Sequence, residues 1–157
     1  MRTLLLLLSL LSSTLLPAQE GSTVSIANGR RAPQPAEASW TVRIGSKTVL
    51  RSNAEDPARN VVTVKRSRLR EKGDFVLTYM PAAPQPGWER TISVLTGSDQ
   101  ELQVHKGNRM RLSGNAFAKL AKGQTELHIY TIALPTDPAI RARVRVRRVH
   151  LATIRFL

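Results

Sequence analysis

Four arginines near the C-terminus alternate with small apolar residues. Arg141, Arg143, Arg145 and Arg147 are separated by Ala142, Val144 and Val146. Successive side chains of a strand point to opposite faces, so this spacing predicts one row of guanidinium groups roughly 6.6–7 Å apart. Arg148 interrupts the alternation and marks a place for a bulge. Arg155 extends the charge, and no acidic residue follows Asp137. A second basic run holds Lys65, Arg66, Arg68, Arg70 and Lys72, offset only by Glu71. Guanidinium forks match the paired oxygens of phosphate, sulfate and carboxylate. The two runs are therefore the candidate contact surface for an anionic envelope component or an acidic protein face. The plainer alternative is a solvated face whose charge discourages edge-to-edge aggregation.

Other chemistry finds little footing. His105, His128 and His150 show neither the H-x-H nor the H-E-x-x-H spacing of a metal site, and no cofactor is expected. If the last two strands form a hairpin with Ala133 opposite Val144, His128 falls opposite Val149. A one-residue slip or bulge would then bring His128 and His150 together. There is no G-x-S-x-G elbow, P-loop or dinucleotide fingerprint, so the chain reads as non-catalytic. With 4% aromatic residues it lacks the stacking platforms of single-strand binders, and nucleic acid is disfavoured. Trp40 and Trp88 are expected as core plugs at strand starts.

The chain has 157 residues, 24 Lys+Arg against 11 Asp+Glu, and no cysteine. That excludes disulfide frameworks, cysteine-ligated zinc and cysteine nucleophiles. Arg2, the apolar run from Leu4 to Leu16 and Pro17-Ala18 have the layout of a secretory signal peptide. The expected organisation is a leader over 1–18, a loose segment over 19–38 and one domain over 39–157. The protein is expected to be exported by a bacterium, to the periplasm or beyond, with no transmembrane segment after cleavage.

From Trp40 onward, nine short β segments lie between Gly, Pro and Asp turn signals: 40–44, 47–50, 61–65, 75–79, 91–95, 102–105, 110–112, 125–133 and 144–156. Two short helical stretches are predicted, over 115–122 and from Asp137-Pro138 to Arg141. The segment Thr41-Val42-Arg43-Ile44 returns as Thr91-Ile92-Ser93-Val94. Similarly, Leu69, Gly73 and Tyr79 return as Leu120, Gly123 and Tyr130. The reading is one half-fold used twice, with the halves facing each other. In each copy an apolar residue, a glycine turn and an aromatic-bearing strand follow one another. This resembles the corner leading into the sixth strand of immunoglobulin-like domains, without their Cys…Trp…Cys pattern. The fold class is all-β: an antiparallel β-sandwich, immunoglobulin-like or a two-half Greek key.

The function expected is a binding or envelope-interaction module with an Arg-rich contact face. An accessory subunit docking through a sheet edge is the alternative, and a small hydrolase ranks behind both. A small membrane barrel would need more aromatics for its girdles. Cleavage after Ala18 should yield a mature chain beginning at Gln19, which intact-mass measurement of exported material will show. Full-length protein held in the membrane fraction would contradict it.

Overall fold

The computed structural model describes residues 37–69 and 73–157. The expected leader over 1–18, the segment 19–36, Arg70 and Lys72 lie outside the described residues. The nine expected strands all form. They are β1 Ser39–Ile44, β2 Lys47–Ser52, β3 Val61–Val64, β4 Phe75–Met80, β5 Trp88–Thr96, β6 Glu101–Lys106, β7 Arg109–Leu112, β8 Glu126–Pro135 and β9 Val149–Phe156. One sheet has the order β2-β1-β4-β7 and the other β3-β9-β8-β5-β6, which makes the expected all-β sandwich. Two helices are added, α1 Gly114–Leu120 and α2 Pro138–Arg141. A 3₁₀ turn over Arg66–Arg68 was not read from the sequence. No helix among the described residues is long and apolar enough to cross a membrane.

The repeat is visible in the strand register. Val42 pairs with Leu77, and Val94 pairs with Ile129; Ile44 pairs with Phe75, and Thr96 with Leu127. One constant displacement carries each first pair onto the second. The same displacement carries the irregularity at Val42/Arg43 onto the one at Val94/Leu95. This displacement is two residues longer than the sequence comparison suggested. Period-2 alternation hides such an even shift. Tyr79 consequently matches Thr131, not Tyr130. Gly73 and Gly123, with φ of 84° and 75°, lead into β4 and β8. At Gly73 a Cβ would stand 3.3 Å from the Gly45 Cα, a tight contact that adds to the preference for glycine set by its positive φ.

The halves exchange strands. β7 of the second half pairs antiparallel with β4 of the first. β3 of the first half reaches the second sheet, but β9 lies between it and β8. β3 therefore runs parallel to β9. Each half thus completes the other's sheet, and the C-terminal strand is an addition wedged into one of the two seams.

Alternation puts Val42, Ile44, Phe75, Leu77, Ile92, Val94, Leu127 and Ile129 between the sheets. Phe117 of α1 closes one end, stacked on Phe75 with ring centroids 4.5 Å apart. Ser113 caps that helix, its Oγ accepting from the Ala116 amide at 3.2 Å. The helix therefore starts at Gly114, one residue before the stretch expected over 115–122. At the other end, Asp137 Oδ1 accepts from the Ala139 amide at 2.8 Å, and Pro138 starts α2, as predicted.

The strand expected from Val144 begins at Val149, and its register gives the reason. Between Ile129/Tyr130, β9 carries one extra residue: Ala152 faces Ile129, His150 faces Tyr130, and Leu151 has no opposite number. Leu151 and Ala152 both enter the core. Val149 then falls on the inner side, opposite Thr131. Continuing the ladder would put Arg147 and Arg145 on that same inner side, beside Ala133 and Pro135, with Arg90 flanking Ala133 on β5. Further guanidinium groups there would be partly desolvated and would crowd Arg90, which pairs with no carboxylate among the described residues, so pairing stops. The bulge is fixed from the facing sheet, since Trp40 Nε1 donates to the Leu151 carbonyl at 2.7 Å. Trp40 is the expected core plug. Its replacement in Trp40→Phe leaves that buried carbonyl without its partner. Urea unfolding should show a loss of about 1–3 kcal/mol; an unchanged midpoint would contradict the role given to the indole.

Candidate functional site

The arginine run leaves the sheet as an arm over 142–148. A turn follows α2, then backbone without ladder pairing. Both ends are tethered. On the α2 side, Arg141 Nε donates to the Pro135 carbonyl at 3.0 Å, and the Arg143 and Val144 amides donate to the Ile140 carbonyl. On the β9 side, Glu55 from the β2–β3 loop accepts the His150 amide at 2.8 Å and pairs with Arg147. Arg148 keeps the outward side that the register gives it, and its guanidinium carbon lies 5.3 Å from the centre of the Tyr130 ring. Arg143 and Arg145 are exposed, and neither pairs with a carboxylate among the described residues. The expected single row of four thus becomes two tethered ends and two free guanidinium groups between them.

The second basic run is at the other end of β9. Arg148 immediately precedes β9, whereas the Arg66 amide donates to the carbonyl of Leu157, which follows it. An eight-residue strand separates them by roughly 26 Å. The two runs cannot act as one contact. Arg66 also has a structural task. Its Nη1 donates to the Ala121 carbonyl and its Nη2 to the Gln124 carbonyl at 2.6 Å, just past the end of α1. Its guanidinium carbon lies 5.2 Å from the Phe156 ring centre. Cations there satisfy orphan carbonyls and oppose the helix dipole. A cleft of about 780 Å³ beside it is lined by Arg66, Lys119 and Lys122, among others. Lys65 is exposed; the Arg68 side chain, like Arg70, lies outside the described residues.

The bulge does what the sequence allowed and brings the histidines together. His128 and His150 rings are 6.3 Å apart, and Tyr130 lies edge-on 5.4 Å from His150. His128 Nε2 meets Glu126 Oε1 at 2.9 Å, and Glu126 Oε2 accepts from Arg155 at 3.2 Å. Those bonds, that of His128 first, hold the Glu126 carboxyl below its ordinary range. The bond from the His150 amide, foremost, does the same for Glu55, with Arg147 adding to it. His150 is buried, with Nε2 on Thr153 Oγ1 at 3.0 Å and Nδ1 without a partner. Burial pushes its pKa down and the neighbouring His128 pushes it further, against the pull of Glu55. Among the described residues no three His, Asp or Glu groups are placed to hold a metal. This cluster joins β8 to β9 and anchors the root of the arm.

Trp88 is not the expected core plug. It is 38% exposed at the start of β5. The turn residues Gln85 to Gly87 before it are exposed as well, and no residue signal separated this strand start from that of Trp40.

No family model matches this chain, and no curated protein matches it.

The His150 geometry fixes a pH dependence. The unfolded histidine titrates near its ordinary value of 6.5, while the folded one resists protonation. As pH falls through that value, the unfolded state gains a proton that the folded state refuses, so stability drops. Glu55 and Glu126 add a further loss below about 4.5. Thermal midpoints should fall between about pH 7.5 and about pH 5.5, and less so in His150→Gln. A wild-type midpoint that is flat across this range would contradict the assignment.

Proposed function

We propose that the protein is an exported, non-catalytic binding module whose arm over 142–148 contacts an anionic partner. One observation carries this reading. β8 and β9 are antiparallel neighbours, which a hairpin of about 2–5 residues can join. Thirteen residues, Thr136 to Arg148, are used instead. They contain five arginines and one aspartate, and that aspartate is occupied as the α2 cap. Long connections held at both ends by a rigid frame are where binding residues concentrate. Arg143 and Arg145 supply the free two-point donors, and Arg141, Arg147 and Arg148 supply field and position. Arg66 is a structural residue in this reading, and Lys65 adds only general charge.

Docking through a sheet edge remains the second reading. The feature favouring it is β6, an edge strand exposed along nearly its whole length, with Val104 43% exposed. Salt separates the two, because polyanion contacts weaken steeply with ionic strength and edge pairing does not.

Arg143→Gln with Arg145→Gln should elute from a heparin column at clearly lower salt than wild type. Lys119→Gln with Lys122→Gln removes the same charge at the opposite end and should shift elution less. Equal shifts would leave the arm without a privileged role. The variant Arg66→Gln should instead lower stability by about 1.5–3 kcal/mol, the range for hydrogen bonds from a charged donor. Wild-type stability in that variant would contradict its capping role.

A further inference from the structure

At the arm's end of the sandwich the two sheets leave a small open mouth. Its cavity of about 70 Å³ is lined by Pro81, Gln85, Trp88, Arg90, Asn108 and Ala133. We infer that the arm's anionic partner is an acidic polysaccharide, one sugar ring of which is seated on Trp88 at this mouth. The inference rests on the reading of the arm as an anion-binding element and gives that partner a chemical class.

The mouth combines an exposed indole with planar polar groups. A pyranose ring has the complementary surface: an apolar face of C–H bonds and a rim of hydroxyls. Trp88 offers a flat amphipathic platform of low conformational entropy. Around it stand the Asn108 amide, which can meet hydroxyl groups in pairs, and the Gln85 amide, whose Nε2 remains to donate while its Oε1 accepts from Arg90. The Arg90 guanidinium, held by Thr131 and Gln85, orients that amide. The cavity itself admits a substituent such as a hydroxymethyl group, while the ring lies outside on the indole.

The parts are held before any ligand arrives. Arg90 lies on the Tyr79 ring with its guanidinium carbon 4.2 Å from the centre, and its Nη2 donates to Gln85 Oε1 at 3.0 Å. The Trp88 amide donates to the Gln85 carbonyl at 3.2 Å. The Thr136 amide and hydroxyl both donate to the Gly87 carbonyl, at 2.8 and 3.0 Å. The Gly107 amide donates to the Arg90 carbonyl, and the Asn108 carbonyl accepts from Tyr79, both at 2.7 Å. The backbone that carries Trp88 and Asn108, and the Arg90–Gln85 pair, are thus fixed before binding, which lowers the entropy lost.

Charge sits next to this platform. Trp88 pairs with Pro135, and the Pro135 carbonyl is the anchor of Arg141. The arm begins there, so carboxylate or sulfate groups along a chain seated on Trp88 meet arginine within a few residues. A bare polyphosphate would satisfy the arm and leave the indole unused.

Intrinsic fluorescence tests this, because Trp40 is buried and Trp88 is the exposed tryptophan. The probes are oligogalacturonate, a neutral dextran oligosaccharide and inorganic polyphosphate. Oligogalacturonate should shift the emission and bind more tightly than dextran, whereas polyphosphate should bind without the shift. Trp88→Ala should weaken oligogalacturonate roughly five- to tenfold and leave polyphosphate binding unchanged, and Trp88→Phe should recover most of the loss. If polyphosphate and oligogalacturonate bind alike, without emission change and without effect of Trp88→Ala, the sugar assignment is wrong and the arm reading stands. If no anionic probe binds, the arm reading itself falls, and the sugar assignment with it.

Discussion

The bond from the Trp40 indole to the Leu151 carbonyl governs the placement of everything on the N-terminal side of β9. It crosses the sandwich from one sheet to the other and fixes the residue that β9 has in excess. With Leu151 counted out of the ladder, His150 turns outward to Tyr130 and His128, and Val149 turns inward to Thr131. The next inward position belongs to Arg147. A guanidinium on that side would meet Arg90 on the next strand but one, which pairs with no carboxylate among the described residues. The chain leaves the sheet instead, Arg147 turns to Glu55, and the arginine run becomes an arm. Register sets the face, and the face sets the cost that keeps Arg147 and Arg145 out of the sheet, while Arg143 lies beyond the end of β8.

Around that point the molecule is a duplicated half-fold with one strand added. The two halves match in register and in the position of their hairpin irregularities, and each has a positive-φ glycine shortly before β4 or β8, though Gly123 lies two residues short of the position that matches Gly73. The addition is β9, and the connection that reaches it is the one with no counterpart in the repeat. It is also the part that carries the arginines. The opposite end of the sandwich is closed by Phe117 and by Arg66, whose charge is used on helix carbonyls. Positive charge is spread over both ends; at the arm's end Arg141 is anchored on Pro135, the strand partner of the exposed Trp88.

Much of this was legible in the residues. Nine strands, both helices, the Asp137 cap and the repeated halves follow from alternation, turn residues and capping chemistry, which act over a few residues. The misplaced features all depend on partners distant in sequence. The Arg141–Arg147 alternation is good strand sequence, and only the face set by Leu151 forbids it. Arg66 reads as another basic residue until Ala121 and Gln124 are beside it. Trp88 and Trp40 look alike at strand starts, yet one meets a facing sheet and the other the mouth between sheets. The meeting of His128 with His150 depends on a bulge that the sequence permits but does not position.

Register, not propensity, expels the arginine run from the sheet, and deleting Arg148 tests this most directly. The deletion moves Arg147 to the outward position opposite Ile132, and puts Val146 inward opposite Ala133. Arginines would then all face out and valines in, as the sequence pattern wants. Backbone hydrogen exchange measured residue by residue on that variant should show protection spreading from Val149 back towards Val144, with matching gains at Ile132 to Leu134. If the arm of the deletion variant exchanges as fast as that of the wild type, something other than register keeps the arginines out of the sheet.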